Sequence, residues 1–222
     1  MKYIGGLILI TFCTACETKK GGGTQISLPD NFKVVTIKLK DSLGLITCSI
    51  PNRYDTFYQW TNEGDCGKSC DFEEYRFQSK YFPIAKKSGW FWNGDSTDSI
   101  DRFTVEHSGY FPFHEVKDTT SKFIEVIAKH RIQYLLIENS EPKITSDTIE
   151  KINDRYFYIL TIDRFDSSRK VYSKRVFAGT SIKSNIIEFQ YEILTKQVDS
   201  VCIRFYEESK KLLKTIQISN GI

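Results

Sequence analysis

Across residues 187–193, Ile187, Phe189, Tyr191 and Ile193 alternate with Glu188, Gln190 and Glu192. A period of two with one apolar and one polar side specifies a β-strand with one buried and one wet face. The period then changes. Val201, Cys202, Phe205, Ser209, Leu212, Leu213 and Ile216 recur at spacings of three and four, which predicts a helix from about Asp199 to Thr215 whose apolar stripe lies on that sheet. Upstream, Tyr156 to Phe165 is a β-rich run, Asp166-Ser167-Ser168 is a turn, and Lys170 to Ala178 is a second strand ending at Gly179. The last third therefore reads as an antiparallel meander with a C-terminal amphipathic helix packed on one face, a layered α+β arrangement.

The same reasoning organises the rest of the chain. Val35, Ile37 and Leu39 alternate with Thr36, Lys38 and Lys40; after Asp41-Ser42 the residues Ile46, Cys48 and Ile50 repeat the pattern, so a β-hairpin is expected, ending at Pro51-Asn52. From Tyr54 to Phe113 the pattern is irregular, with strands expected only at residues 73–78 and 102–106 and a polar loop at 94–99. In Lys122 to Leu136 the residues Phe123, Ile124, Ile127 and Arg131 suit a helix face while the Ile and Val content suits a strand; a helix is expected, N-capped by Asp118 or Thr119. Glu141-Pro142 breaks the chain, and a short helix is expected around Ser146 to Lys151. No repeat of the solenoid or propeller kind is visible. With 40% hydrophobic and 27% charged residues among 222, disorder is excluded. A net charge of +3 without a run of five or more like charges excludes a nucleic-acid-binding arm and predicts no nucleic acid partner.

The order of meander and helix over roughly residues 144–218, with the closing pattern Phe205-Tyr206-Glu207-Glu208-Ser209 to Leu212-Leu213-Lys214-Thr215-Ile216, resembles the PsbP/Mog1-like proteins. The resemblance implies an assembly or interaction factor without an active site, and no cofactor.

The N-terminus carries an address. Met1-Lys2 is a short basic start, Ile4 to Phe12 is uncharged, and Thr14-Ala15-Cys16 precedes the first acidic residue, Glu17, which is the layout of a secretory signal peptide. The apolar run is shorter than the roughly 20 residues a spanning helix needs. Cys13-Thr14-Ala15-Cys16 resembles the lipobox of bacterial lipoproteins, although Cys13 stands where leucine is commonest. The resemblance implies removal of residues 1–15, diacylglycerol on Cys16, and a membrane partner reached through that anchor; Glu17 after the cysteine implies the outer membrane or periplasm of a Gram-negative bacterium. An ordinary secretory cut after Ala15 is the alternative. Residues 16–27 are polar and Gly-rich, a tether by composition with a reach on the order of 20 Å, and residues 28–222 are expected to form a single α+β domain.

Four cysteines remain beyond Cys16. Cys66 and Cys70 form the one close pair, in a loop-like stretch, and a Cys66–Cys70 disulfide is expected in an oxidising compartment. A metal site from Asp65, Cys66, Cys70 and Asp71 lacks the second Cys or His pair that zinc prefers, so no metal is expected. Cys48 and Cys202 read as buried small hydrophobes.

Between Phe57 and Phe113 stand 15 of the chain's aromatic residues, including Trp60, Trp90 and Trp92. One reading is a ligand surface in which Trp90, Trp92, Tyr110 and Phe111 stack on a glycan or anchor a peptide, with Asp95, Asp98 and Asp101 as polar contacts; the other is core filling. A hydrolase would need His107 and His114 with Ser108 or Asp101, yet neither a G-x-S-x-G nor an H-E-x-x-H motif is present. His130, beside Lys129 and Arg131, reads as solvated, and so do the adjacent carboxylates Glu73-Glu74 and Glu207-Glu208. The functional expectation is a lipid-anchored envelope protein that is not an enzyme and binds another envelope component.

Overall fold

The computed structural model describes residues 31–64, 71–84, 99–108, 120–138, 143–183 and 185–219. The expected first hairpin is present: β1 (Phe32–Leu39) pairs with β2 (Gly44–Pro51) from Phe32↔Pro51 to Leu39↔Gly44. Its turn residues Asp41 and Ser42 take φ of 56° and 55°, a left-handed region that short polar side chains tolerate better than branched ones. Then follow β3 (Thr56–Asn62), β4 (Phe72–Gln78), β5 (Ile100–Ser108), α1 (Ser121–Glu138), β6 (Lys143–Ile152), β7 (Arg155–Asp166), β8 (Val171–Ile182), β9 (Asn185–Thr195), α2 (Ser200–Leu213) and β10 (Gln217–Ser219).

The strands form a small sheet ordered β1-β2-β10 and a seven-stranded sheet ordered β3-β4-β5-β9-β8-β7-β6. Every pairing is antiparallel. The architecture is α+β: antiparallel sheets with two helices. Because side chains alternate faces along a strand, the large sheet feeds two cores. On one face Tyr75, Phe103, Phe157 and Phe189 pack against Ile37, Ile46 and Ile50 of the small sheet and Cys202, Phe205 and Leu212 of α2. On the other, Phe123, Ile124, Ile127 and Leu135 of α1 cover Tyr158, Leu160, Ile162 and Phe177. Each fully buried large apolar side chain contributes about 1.5–3 kcal/mol, so these two layers hold the sheet in place. Among the described residues no helix is long and apolar enough to cross a membrane.

Several expectations are corrected. Residues 146–151 are not helical but lie in β6, paired with β7 from Lys143↔Asp163 to Ile152↔Arg155. Asn153 and Asp154 between them both take positive φ, 45° and 68°, as a two-residue hairpin turn requires, and Thr145, Thr148 and Ile149 suit a strand. The irregular stretch after Tyr54 contains β3, which pairs along its full length with β4. The cap of α1 is Thr120, whose Oγ1 accepts the Phe123 N–H at 3.2 Å, while residues 118 and 119 lie outside the described residues. Gly179 does not end its strand. β8 runs through it because Tyr158 fills the space that a Cβ would occupy there, so only glycine lets the two strands pair. Finally, the sides read as wet are not: Glu73, Glu74 and Glu192 are 6%, 0% and 1% exposed.

Candidate functional site

His107 is the one residue of the proposed hydrolytic pair within the described residues, because His114 lies outside them. It is buried near the end of β5, opposite Glu73 of β4. Its ring stacks on Tyr75, with centroids 5.9 Å apart, and Nε2 lies 3.3 Å from the Tyr75 hydroxyl. That hydroxyl accepts the Lys40 backbone N–H at 2.9 Å, which ties the β1–β2 turn to the large sheet. Lys40 Nζ and the Thr61 hydroxyl donate to Glu73 Oε1 at 2.6 and 2.5 Å. Burial pushes the His107 imidazole below its usual pKa, against the opposing pull of Asp41 and Glu73. Among the described residues, His107 Nδ1 and Glu73 Oε2 have no hydrogen-bond partner. Asp101 does not join this group: it sits at the far end of β5, about 20 Å away at strand rise. There it accepts hydrogen bonds from Arg53 Nε and the Tyr54 hydroxyl at 2.5 and 2.6 Å.

The opposite face of β4, β5, β9 and β8 is ionic. Glu74 accepts from Arg76 at 2.5 Å and from Asn62 at 3.3 Å. Glu192 is held between Arg102 and Arg175, both at 2.7 Å. Glu188 takes Arg131 of α1 at 2.7 Å and the Tyr158 hydroxyl. Buried charges persist only when paired, and Glu74, Glu188 and Glu192 each have at least one arginine partner. Among the described residues no group of three or more His, Cys, Asp or Glu side chains is placed to hold a metal ion.

The remaining feature is a groove of about 650 Å³ between the β7–β8 hairpin and the start of α2. Phe165 and Tyr172, cross-strand partners on either side of the hairpin loop, pack at 4.7 Å between centroids. They remain 53% and 36% exposed, and Val198 beside them is 51% exposed. The loop is fixed internally. Asp166 Oδ1 accepts from the Ser168 hydroxyl at 2.6 Å and from the Ser168 and Arg169 N–H groups at 3.0 and 3.1 Å, and the Ser168 hydroxyl leads in holding the Asp166 carboxyl below its ordinary range. Lys174 in the groove donates to the Cys202 carbonyl at 3.0 Å and lies 5.0 Å over the Tyr206 ring. Asp199 caps α2 by accepting the Cys202 N–H at 2.8 Å. The groove thus sets one aromatic pair, flanking a loop held by its own hydrogen bonds, beside Lys143, Arg164 and Lys174.

No protein-family model and no curated protein matches this chain. Among solved structures, the cyanobacterial PsbP (CyanoP) from Synechocystis sp. PCC 6803 is similar at 8% identity and TM-score 0.46, over 90% of this chain and 98% of that one. A protein of unknown function from Pseudomonas aeruginosa, PA94, described as a putative regulator, is similar at 9% identity and TM-score 0.39, over 84% of this chain and 97% of that one. A Bacteroides thetaiotaomicron protein follows at 11% identity and TM-score 0.34, over 78% and 45%.

The other residues singled out in the sequence are distributed as follows. Cys16, Cys66, Cys70, Trp90, Trp92, Tyr110 and Phe111 lie outside the described residues, as do Asp95 and Asp98. Asp71 accepts the Gly64 N–H at 2.9 Å. Trp60 is half-buried on β3; its indole N–H donates to Asn62 at 3.1 Å, and the Arg76 guanidinium lies 4.9 Å over its ring. Tyr75, Phe77 and Phe103 of the enriched stretch are core, whereas Phe57 is exposed; Phe57, Phe77, Phe103 and, on β9, Tyr191 form a cross-strand row with ring contacts at 4.8, 6.2 and 4.4 Å. Cys48 and Cys202 are buried free thiols, and burial pushes Cys48 up to about 12. Glu207 is exposed and ion-paired with Lys211 at 2.6 Å, and His130 is exposed. Phe165 and Tyr172 escaped the sequence reading, although their symmetric placement about residues 167–170 was the available signal.

Proposed function

We propose that this protein is a lipid-anchored component of a bacterial cell envelope that acts by binding an envelope partner rather than by turning over a substrate. The observation that carries the reading is the groove. Its exposed aromatic pair, held by a hydrogen-bonded loop and a capped helix, is a contact surface ready to bind without paying further ordering entropy. His107, the residue on which a hydrolytic reading depends, is instead part of the packing that joins the two sheets. The PsbP/Mog1-like arrangement of residues 144–218 belongs to the same proposal and rests on the meander β7-β8-β9 followed by α2.

Anchoring has a direct test. Cells fed radiolabelled palmitate are expected to label the parent chain and leave Cys16→Ala unlabelled. Label retained in the variant, or absent from the parent, overturns the anchor.

A further inference from the structure

We propose that the β7–β8 end of the molecule seats on a phospholipid surface bearing anionic headgroups, an inference that rests on the lipid-anchored reading for its setting. Chemistry comes first. Phe165, Tyr172 and Val198 are exposed together, and Ile203 on the first turn of α2 is 65% exposed. Aromatic and aliphatic side chains of this kind are favoured at the headgroup level of a bilayer. Around them stand Lys143, Arg164, Lys170 and Lys174. The two acidic side chains of the groove are Asp163 and Asp166, and Asp166 is occupied by its own loop. An aromatic surface ringed by cations matches an anionic bilayer better than it matches a neutral sugar, which offers the cations no countercharge.

The location of the chain's start points the same way. The Asn52 N–H donates to the Asn31 carbonyl at 2.9 Å, which places the entry to β1 beside the end of β2. Arg53 and Tyr54 then hold Asp101. Asp101 stands in one cross-strand row with Ile193, Lys174, Asp163 and Lys143, and the Phe165–Tyr172 pair lies two rows further out. The chain therefore enters at the same end as the aromatic pair, with Asp101 and Asp163 about 15 Å apart, three strand spacings. The residues between Cys16 and Asn31 reach about 20 Å by their composition. The twelve-residue strands β7 and β8 are about 40 Å long. A lipid on Cys16 thus holds the β7–β8 end against the bilayer and keeps the opposite end, with the β1–β2 turn and His107, away from it.

The test uses the full chain carrying Cys16→Ala, so that no lipid contributes, in co-sedimentation with vesicles of phosphatidylcholine alone or mixed with phosphatidylglycerol. Any binding by residues 1–15 is common to this chain and its variants, so the comparison isolates the hairpin end. The chain is expected to bind mixed vesicles several-fold better than phosphatidylcholine, with the advantage lost in high salt. Lys143→Gln and Lys170→Gln should each weaken binding to mixed vesicles roughly fivefold. Phe165→Ser with Tyr172→Ser should weaken it to both. These side chains are exposed, and unchanged circular dichroism confirms the fold of each variant. Equal binding to the two vesicle types, or variants that bind like their parent, overturns the proposal. So does stabilisation by soluble envelope glycans without vesicle binding, which would assign the groove to sugar. Palmitate labelling of the unaltered chain reads the anchor separately, so the two can fail independently.

Discussion

At the scale of single residues, burial decides what a side chain can do, and His107 is the clearest case. Its imidazole is drawn below the ordinary value chiefly by burial, whereas in the unfolded chain it titrates near 6.5. Between those two values the unfolded state binds more protons, so the free energy of unfolding rises with pH. The stabilisation is fully present above about pH 6.5 and is lost as the pH falls toward and through the folded value, with a slope of at most about 1.4 kcal/mol per pH unit. Cys48 and Tyr75, both held up to about 12 by burial, are silent in this window. The urea midpoint is expected to fall between pH 7.5 and 5.5, and to fall less in His107→Gln, which cannot take up the proton. Identical pH slopes for the two proteins would show that His107 is not the group responsible.

At the scale of elements, the alternation along β9 specifies a strand and its apolar side but misjudges the other side. Period two reports which side chains share a face, not what lies against that face. Glu192 is polar, yet its partners Arg102 and Arg175 arrive from β5 and β8, and no local pattern announces them. For the same reason β7, β8 and β9 were legible, since β7 and β8 are β-rich runs separated by a turn and β9 carries its own alternation, while β3 was hidden by aromatics on both of its faces and β6 by an edge strand's lack of an apolar stripe. The candidate groove was harder still, because it unites a hairpin with a helix start separated in sequence. Glu192→Gln removes one charge from between two cations and should destabilise the fold by about 3–5 kcal/mol. Replacing the whole set, Glu192→Met with Arg102→Met and Arg175→Met, is expected to recover most of that loss, since an apolar set of similar volume leaves no charge unpaired. Urea denaturation of the three proteins decides it; a single substitution costing under about 1 kcal/mol would mean that the face is open to water.

At the scale of the whole molecule, the two sheets and α2 are closed by the last residues of the chain. After α2 the Thr215 Oγ1 accepts the Ser49 N–H at 2.9 Å, and β10 pairs with β2 from Gln217↔Thr47 to Ser219↔Leu45. The β6–β7 turn of the large sheet meets this closure through Asn153, whose amide donates to the Ile216 carbonyl at 2.7 Å. Asn153 therefore does two jobs, holding a left-handed turn at φ 45° and tying the outer hairpin to the chain's end. The two can be separated. Asn153→Ala loses both the hydrogen bond and the residue type that tolerates positive φ, and should cost about 2 kcal/mol. Asn153→Gly loses the hydrogen bond but relieves the turn, and should cost about 1 kcal/mol. Hydrogen exchange at the β10 amides should quicken in both variants, because both release Ile216. Protection unchanged in the glycine variant would show that β10 is held by its pairing with β2 alone and that the two sheets are not coupled through this turn.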